Sequence, residues 1–413
     1  MKITVIALMF AGWQVTNWGG NLNNEANAGL WYANFNNSSG NTNANIGAQL
    51  SLKDTYPDVI TLPLGKKHKF QNSTGNASER SVNLKQMKRE NNLYESICSL
   101  GNIEQAFHNA KKGKRHYSEV KEIEKNPQKY FQKLQNILQS CSFKNSEYHI
   151  FTKQCSGKTR EIYKLPFYPD RIVHHCIVQV LAPIWLKVFV RNTFSTIPKR
   201  GIHDGVNRIR ESLKDVKNTT YCLKMDIKKY YPSIDHSILK DLLERKIKDK
   251  KVMFLLSEII DSAPGIPIGN YLSQWLGNYY LAFFDHYVKE QLQVKYYFRY
   301  CDDLVYLHSD KNLLWQIKSE CGKYLSEHLN LQLKGNYQVF PIDIHGIDFL
   351  GYRFYHTHTL VRKTIVAEFK RKVKNEKTTP QIQSAYWGWF KHANTFNLTS
   401  KYFEHERIQS KAS

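Results

Sequence analysis

The strongest constraint on this chain is a decapeptide, FRYCDDLVYL at residues 298–307, in which two adjacent aspartates interrupt a run of apolar and aromatic residues. β-favouring neighbours on both sides, among them Tyr297, Arg299, Val305 and Leu307, predict two short strands, with Asp302 and Asp303 forming the turn between them. A solvated turn residue is the ordinary role of an aspartate in such a place.

A second segment offers these carboxylates a partner. In KMDIKKYYPSID, Asp226 follows the strand-like TYCLKM and precedes the turn proline Pro232, which predicts a strand end. Three carboxylates on neighbouring strand ends could hold two divalent cations about 4 Å apart, polarising an attacking hydroxyl and stabilising a leaving oxygen. Magnesium suits such a site, because a few carboxylates leave room for water and phosphate oxygens. Either segment alone still reads equally as a solvated turn.

Composition narrows the setting. The 413 residues are 41% hydrophobic, enough for one large or two to three ordinary domains. A net charge of +23 predicts a polyanionic partner, nucleic acid being the commonest. Seven dispersed cysteines without a C-x-x-C pair argue against a disulfide framework or zinc knuckle and fit a reducing cytoplasm. The opening MKITVIALMFAGW lacks a small-residue cleavage site, and no run of about 20 apolar residues predicts a membrane span.

Two regions differ in character. Asn17 to Asn45 carries eleven asparagines in 29 residues, and residues 1–50 hold one cation and one anion, so the basic excess lies later. Residues 51–86 read as a linker. From Met87 a helical pattern begins, with Leu93, Ile97, Leu100 and Ile103 on one face. Beyond it, PQKYFQKLQNILQS reads as a helix, EYHIFTK and REIYKLP as a hairpin around QCSGKT, and DRIVHHCIVQVLAPIWLKVF as a long apolar helix interrupted near Pro183. A strand at TYCLKMDI and helices near 236–260 and 271–290 follow. Strands and helices without strict alternation predict an α+β fold.

Taken in order and spacing, these motifs resemble a reverse transcriptase across roughly residues 88–375. DIKKYYPSID looks like the first palm motif, YCDD like the Y-x-D-D hairpin, and IDFLGYRF at 347–354 like the strand pair that holds the primer. The resemblance implies a right-hand polymerase, with fingers over 87–220, a palm of antiparallel sheet plus helices over 221–345, and primer grip and small helical thumb over 346–413. It implies two Mg²⁺ ions, with Mn²⁺ able to substitute, held by Asp226, Asp302, Asp303 and the backbone carbonyl of Ile227. Tyr231 matches the aromatic gate that crowds the sugar 2′ position, and Lys158 and Arg160 the finger residues that neutralise the incoming triphosphate. Lys334 matches a lysine that protonates leaving pyrophosphate. Lys199 and Arg200 in KRGIH are expected near template or primer phosphate.

One departure points to a subfamily. Group II intron and retron enzymes carry Q-G-x-x-x-S-P where this chain has Ile268, Gly269, Ser273 and Gln274. The I-G-x-x-x-S-Q form resembles the reverse transcriptases of diversity-generating retroelements, although Cys301 stands where methionine is more usual. A glutamine can hydrogen-bond near the nascent base pair, whereas Ile268 offers only shape; losing that constraint costs on the order of 1 kcal/mol or more of discrimination. The resemblance implies errors at template adenines, the element's own RNA as template, a DNA or RNA primer, deoxynucleotides as substrates, a basic accessory variability protein oligomer as partner, and the cytoplasm of a bacterium or phage-infected cell, with no membrane.

The asparagine-rich start fits that reading, since asparagine codons are adenine-rich and GLWYANFNNSSGNTNANIGAQL resembles a translated template repeat. Residues 1–86 are therefore expected to be a poorly ordered extension, with Met87 as the natural start. A small fused binding module is the competing reading, but it would lack cysteines, having none before Cys98. HTHTL at 356–360 and HHC at 174–176 lack the companion ligands of a metal site. Trp387 and Trp389 are expected to pack between helices. An idle RNA-binding scaffold and a lectin-like binding protein remain the other function classes.

Overall fold

The computed structural model describes residues 5–8, 30–33, 88–155, 158–375 and 377–403. One compact unit comprises Met1–Asn36 and Arg89–Ser413, and a second Asn37–Lys88. The expectations for residues 1–86 fall almost wholly outside the described residues; the two short strands described there, Val5–Leu8 and Leu30–Ala33, pair antiparallel.

A five-stranded sheet positions the carboxylates. Its strands run in the order Thr193–Phe194, Tyr296–Tyr300, Asp303–His308, Tyr221–Asp226 and Gln338–Pro341. All neighbours are antiparallel except the short first strand, which runs parallel to Tyr296–Tyr300. The strands Tyr296–Tyr300 and Asp303–His308 leave only Cys301 and Asp302 as the turn, so Asp303 is the first residue of the return strand rather than half of the turn. Cys301 takes a left-handed backbone with φ of 53°, which lets so tight a turn close. Behind the sheet lies the helix Lys311–Leu329, whose Leu314, Ile317, Cys321, Leu325 and Leu329 recur at helical spacing and are buried. Asp310 caps its start, accepting from the amides of Asn312 and Leu313, and Asn330 ends it with φ of 51°.

After Met87 two helices form where the apolar pattern predicts one. Ser99 accepts a hydrogen bond from the Asn102 amide and starts a new helix, Leu100–Ala110, after Tyr94–Cys98. Ile97 and Ile103 are buried while Leu100 is exposed, so the proposed common face is split by this cap. The helix Ile172–Leu186 passes through Pro183 without interruption and ends at Lys187. Proline inside a helix costs about 3 kcal/mol, and burying the following Ile184 and Trp185, at roughly 1.5–3 kcal/mol for a side chain of this kind, offsets it. The predicted hairpin forms as His149–Cys155 and Lys158–Lys164.

A separate three-stranded antiparallel sheet, Ile347–Phe349, Tyr352–Phe354 and Thr359–Val361, follows the five-stranded sheet. Three helices come after it, Lys363–Lys374, Pro380–Phe390 and Phe396–Tyr402, around an aromatic core of Phe369, Tyr386, Phe390 and Phe403. Trp389 packs on Tyr352, ring centroids 5.4 Å apart, and Trp387 on Phe403, also at 5.4 Å. No helix among the described residues is long and apolar enough to cross a membrane.

Candidate active site

Strand register brings the three aspartates together. Asp226, the last residue of its strand, pairs directly with Asp303, the first of its own, and the Ile227 amide donates to the Asp302 carbonyl at 3.3 Å. Side chains directly opposite in an antiparallel pair leave the same face. Asp302 is half-buried and Asp303 only 3% exposed. Burial, with the neighbouring Asp226 carboxylate next in effect, pushes the Asp302 carboxyl up to about 8. Burial likewise raises Asp303 to about 6, against the opposing pull of Lys224.

Two lysines face the group. Lys334 Nζ lies 2.6 Å from Asp226 Oδ2, and its amide donates to the Asp226 carbonyl at 2.8 Å. Lys224 Nζ stands 3.5 Å from Asp303 Oδ2. Among the described residues, no three or more histidine, cysteine, aspartate or glutamate side chains are gathered closely enough to hold a metal ion by themselves. The carboxylates meet as an open arrangement rather than a closed cage. Their chemistry nevertheless fits a hard divalent cation: Asp226 Oδ1 and both Asp303 oxygens are buried with no hydrogen-bond partner among the described residues, and such oxygens, completed by water and phosphate, are what magnesium takes. Ile227 forms a bridge with Leu333, which brings Lys334 beside the strand end.

The turn is held from behind by a buried ion pair. Arg299 donates through Nε and a terminal nitrogen to Asp285 at 2.7 and 2.5 Å, and through its other terminal nitrogen to the Cys301 carbonyl at 3.1 Å and to Asn278 Oδ1 at 3.2 Å. The Tyr297 hydroxyl and Thr193 hydroxyl complete Asp285 at 2.7 and 3.2 Å. A buried charge tolerates this position only because every lone pair is met.

Tyr231 fills the space between the first aspartate segment and the helix Tyr271–Tyr280. It is 7% exposed, its hydroxyl lies 4.0 Å from Cys301 Sγ, and its ring approaches Gly277 so closely that a Cβ there would stand 2.9 Å from Cε1. Gly277 is thus the residue that admits the ring. Ser273 and Gln274 lie buried on the same helix, and Gln274 accepts a hydrogen bond from the Thr196 hydroxyl.

Ile268 and Gly269 are brought against the hairpin of His149–Cys155 and Lys158–Lys164. The Tyr163 amide donates to the Ile268 carbonyl at 2.9 Å, and a Cβ at Gly269, where φ is +133°, would lie 2.3 Å from the Tyr163 carbonyl oxygen. Glycine is required there on both counts. Arg160, half-buried, sits on that hairpin strand; Lys158 begins it, and its side chain lies outside the described residues. Lys199 is exposed, with φ of 61°. Arg200, expected on phosphate, is half-buried and donates to the carbonyls of Val190 and Phe189 at 3.2 and 3.4 Å, so its guanidinium braces the loop.

Sequence reasoning overlooked Lys224, Asp285, Arg299 and Gly277. Lys224 had a signal, since it precedes Asp226 by two and shares its face. Arg299 had another, a lone charge inside an apolar strand. Asp285 and Gly277 act through partners distant in sequence, Arg299 and Tyr231, and carried none.

With this geometry in place, comparison with known proteins is informative. The family profile of reverse transcriptase (RNA-dependent DNA polymerase) matches residues 144–354, about half of the chain. Protein YkfC of Escherichia coli (strain K12) is 26% identical over 259 residues, covering 52% of this chain and 66% of that protein. The group II intron-encoded protein LtrA of Lactococcus lactis subsp. cremoris is 26% identical over 183 residues, covering 40% of this chain and 29% of that protein. The chain thus spans less than two thirds of the length of either relative. Among solved structures, telomerase from Candida albicans in complex with a TWJ fragment of telomeric RNA aligns over 56% of this chain and 51% of that chain, at 11% identity and a TM-score of 0.41, a likeness too slight to bear on the site.

Proposed function

Because the chain belongs to the reverse transcriptase family, by its match over residues 144–354, we propose that it is an RNA-directed DNA polymerase that adds deoxynucleotides to a primer 3′ hydroxyl. The observation that supports this most directly is the direct pairing of Asp226 with Asp303 at the strand ends, with three buried carboxylate oxygens that meet no hydrogen-bond donor among the described residues. Asp226, Asp302 and Asp303, with the Ile227 carbonyl, would hold two Mg²⁺ ions, for which Mn²⁺ substitutes. Bound there, the ions would polarise the attacking hydroxyl and offset charge on the leaving oxygen.

The chain's own groups do the rest. Lys334 donates a proton to leaving pyrophosphate, Lys158 and Arg160 neutralise the triphosphate, and Tyr231 crowds the sugar 2′ position. Gly269, Ser273 and Gln274 shape the nucleotide side of the site, and Lys199 and Arg200 are offered to template or primer phosphate. Fingers, palm and thumb divide near residues 220 and 345.

We further infer a role in diversification. Ile268 in the I-G-x-x-x-S-Q segment supports error-prone copying of a template-repeat RNA at adenines, with an accessory variability protein as partner in a bacterial or phage-infected cytoplasm. A group II intron-like or retron-like reverse transcriptase without adenine mutagenesis is the second reading, favoured by the similarity to LtrA, a group II intron-encoded protein.

Primer extension on an RNA containing all four bases, with magnesium and sequencing of the products, separates these readings. The full chain, a Met87 start and Ile268→Gln are compared. Extension with errors concentrated opposite adenine, unaffected by the Met87 start and reduced by Ile268→Gln, is expected. An even error spectrum that Ile268→Gln leaves unchanged would remove the diversification role and keep the second reading.

A further inference from the structure

The strands that would hold a primer terminus and the carboxylates that would hold cations belong to different sheets, and one side chain touches both. Lys224 lies two residues before Asp226 on the strand Tyr221–Asp226 and therefore leaves the same face. Its own register partner is Val305, which puts Asp303 on its diagonal, within reach of a long side chain. From there its ammonium stands 3.5 Å from Asp303 Oδ2 and donates a hydrogen bond to the main-chain carbonyl of Asp348.

Asp348 is the middle residue of the strand Ile347–Phe349. Its carboxylate is clamped by Arg362, 2.7 Å from Nε and 2.6 Å from a terminal nitrogen, and the Arg362 amide donates to the Gly351 carbonyl at 2.9 Å. A continuous polar chain, Asp303 to Lys224 to Asp348 to Arg362, thus crosses from the five-stranded sheet to the three-stranded one. The contact with Asp303 is an ion pair without a hydrogen bond, so Lys224 fixes where the carboxylate sits and leaves both of its oxygens available.

We propose that Lys224 is a positioning residue that sets Asp303 against the strand pair at 347–354, so that seating a primer terminus and binding a divalent cation are coupled through one side chain. The inference rests on the polymerase reading given above. Its consequence is thermodynamic: a primer–template should tighten cation binding, and the cation should tighten primer–template binding by the same factor. Groups that orient metal ligands are worth about 10- to 100-fold in metal affinity.

The test measures Mn²⁺ binding by electron paramagnetic resonance, with and without a DNA primer on an RNA template, and primer–template affinity by fluorescence anisotropy, in the wild type, Lys224→Met, Lys224→Arg and Arg362→Gln. Single-nucleotide incorporation is followed alongside. In the wild type the primer–template should strengthen Mn²⁺ binding within the range of about 5- to 150-fold usual for coupled sites. Lys224→Met should bring that factor close to one, Lys224→Arg should restore most of it, and Arg362→Gln, which loosens the far end without touching Asp303, should remove part. A factor that Lys224→Met leaves intact, or that the wild type lacks, overturns the proposal. Wild-type protein that shows the linkage but incorporates no nucleotide would instead overturn the polymerase reading while leaving the bridge standing.

Discussion

Asp285, on the helix Ala282–His286 behind the aspartate hairpin, and Asp303, in that hairpin, are both buried and are treated in opposite ways by the fold. Asp285 accepts four hydrogen bonds, two from Arg299 and one each from Tyr297 and Thr193. Among the described residues Asp303 accepts none, and the ammonium of Lys224 stays 3.5 Å away. A carboxylate whose lone pairs are all met is a finished part of the structure, since an unpaired buried charge would cost several kcal/mol. One left unmet marks where something other than the protein completes it. The first braces the turn; the second, with Asp226 and Asp302, is what the turn presents.

Removing the finished partner should show the largest effect on folding. Asp285→Ala leaves Arg299 buried and uncompensated, and urea unfolding should report a loss of about 3–5 kcal/mol. A loss below about 1 kcal/mol would mean that the network is not the brace described here. Next comes Gly277→Ala, whose Cβ must displace the Tyr231 ring; a loss of about 1–3 kcal/mol is expected from overpacking, together with weaker discrimination between deoxynucleotides and ribonucleotides in extension assays.

The unmet carboxylate should respond with the opposite sign. Asp303→Asn removes a buried charge that its ion pair with Lys224 offsets only in part, so stability measured without metal at neutral pH should rise by about 1 kcal/mol while extension is lost. A marked destabilisation would show that Lys224 already satisfies this carboxylate. Lys334→Met should have the smallest effect on stability, within about 1 kcal/mol, because its ion pair with Asp226 is partly exposed. Extension should nonetheless fall by about 100-fold or more if Lys334 supplies the proton.

The same contrast explains how much was legible beforehand. The α+β class, the hairpin at 149–164 and the place of Asp226 at a strand end follow from local pattern, because strand periodicity and turn chemistry are written in neighbouring residues; that Asp226 meets the aspartate pair is implied by the family resemblance of the two motifs in order and spacing. The position of the turn was misplaced by one residue, since only the left-handed backbone of Cys301 lets Asp303 join the strand. A single helix was expected where Ser99 divides two, because periodicity persists across a cap. The continuity of Ile172–Leu186 through Pro183 depends on tertiary burial that no local rule contains. Asp285, Asp348 and Arg362 were illegible for a related reason: each acts through a partner remote in sequence, and the bracing of its own loop by Arg200 was illegible because its carbonyl acceptors are backbone atoms with no sequence signature.

The most direct test of the account is single-turnover extension of a DNA primer on an RNA template, with magnesium, by wild-type protein and Asp302→Asn matched for folded concentration by thermal melting. The account predicts template-dependent extension by the wild type and its loss, by about 1,000-fold or more, in a variant that melts no lower, since the acid is required for transition-state charge stabilisation. Equal extension by the two proteins would contradict it, because the carboxylates at the turn would then have no part in the chemistry.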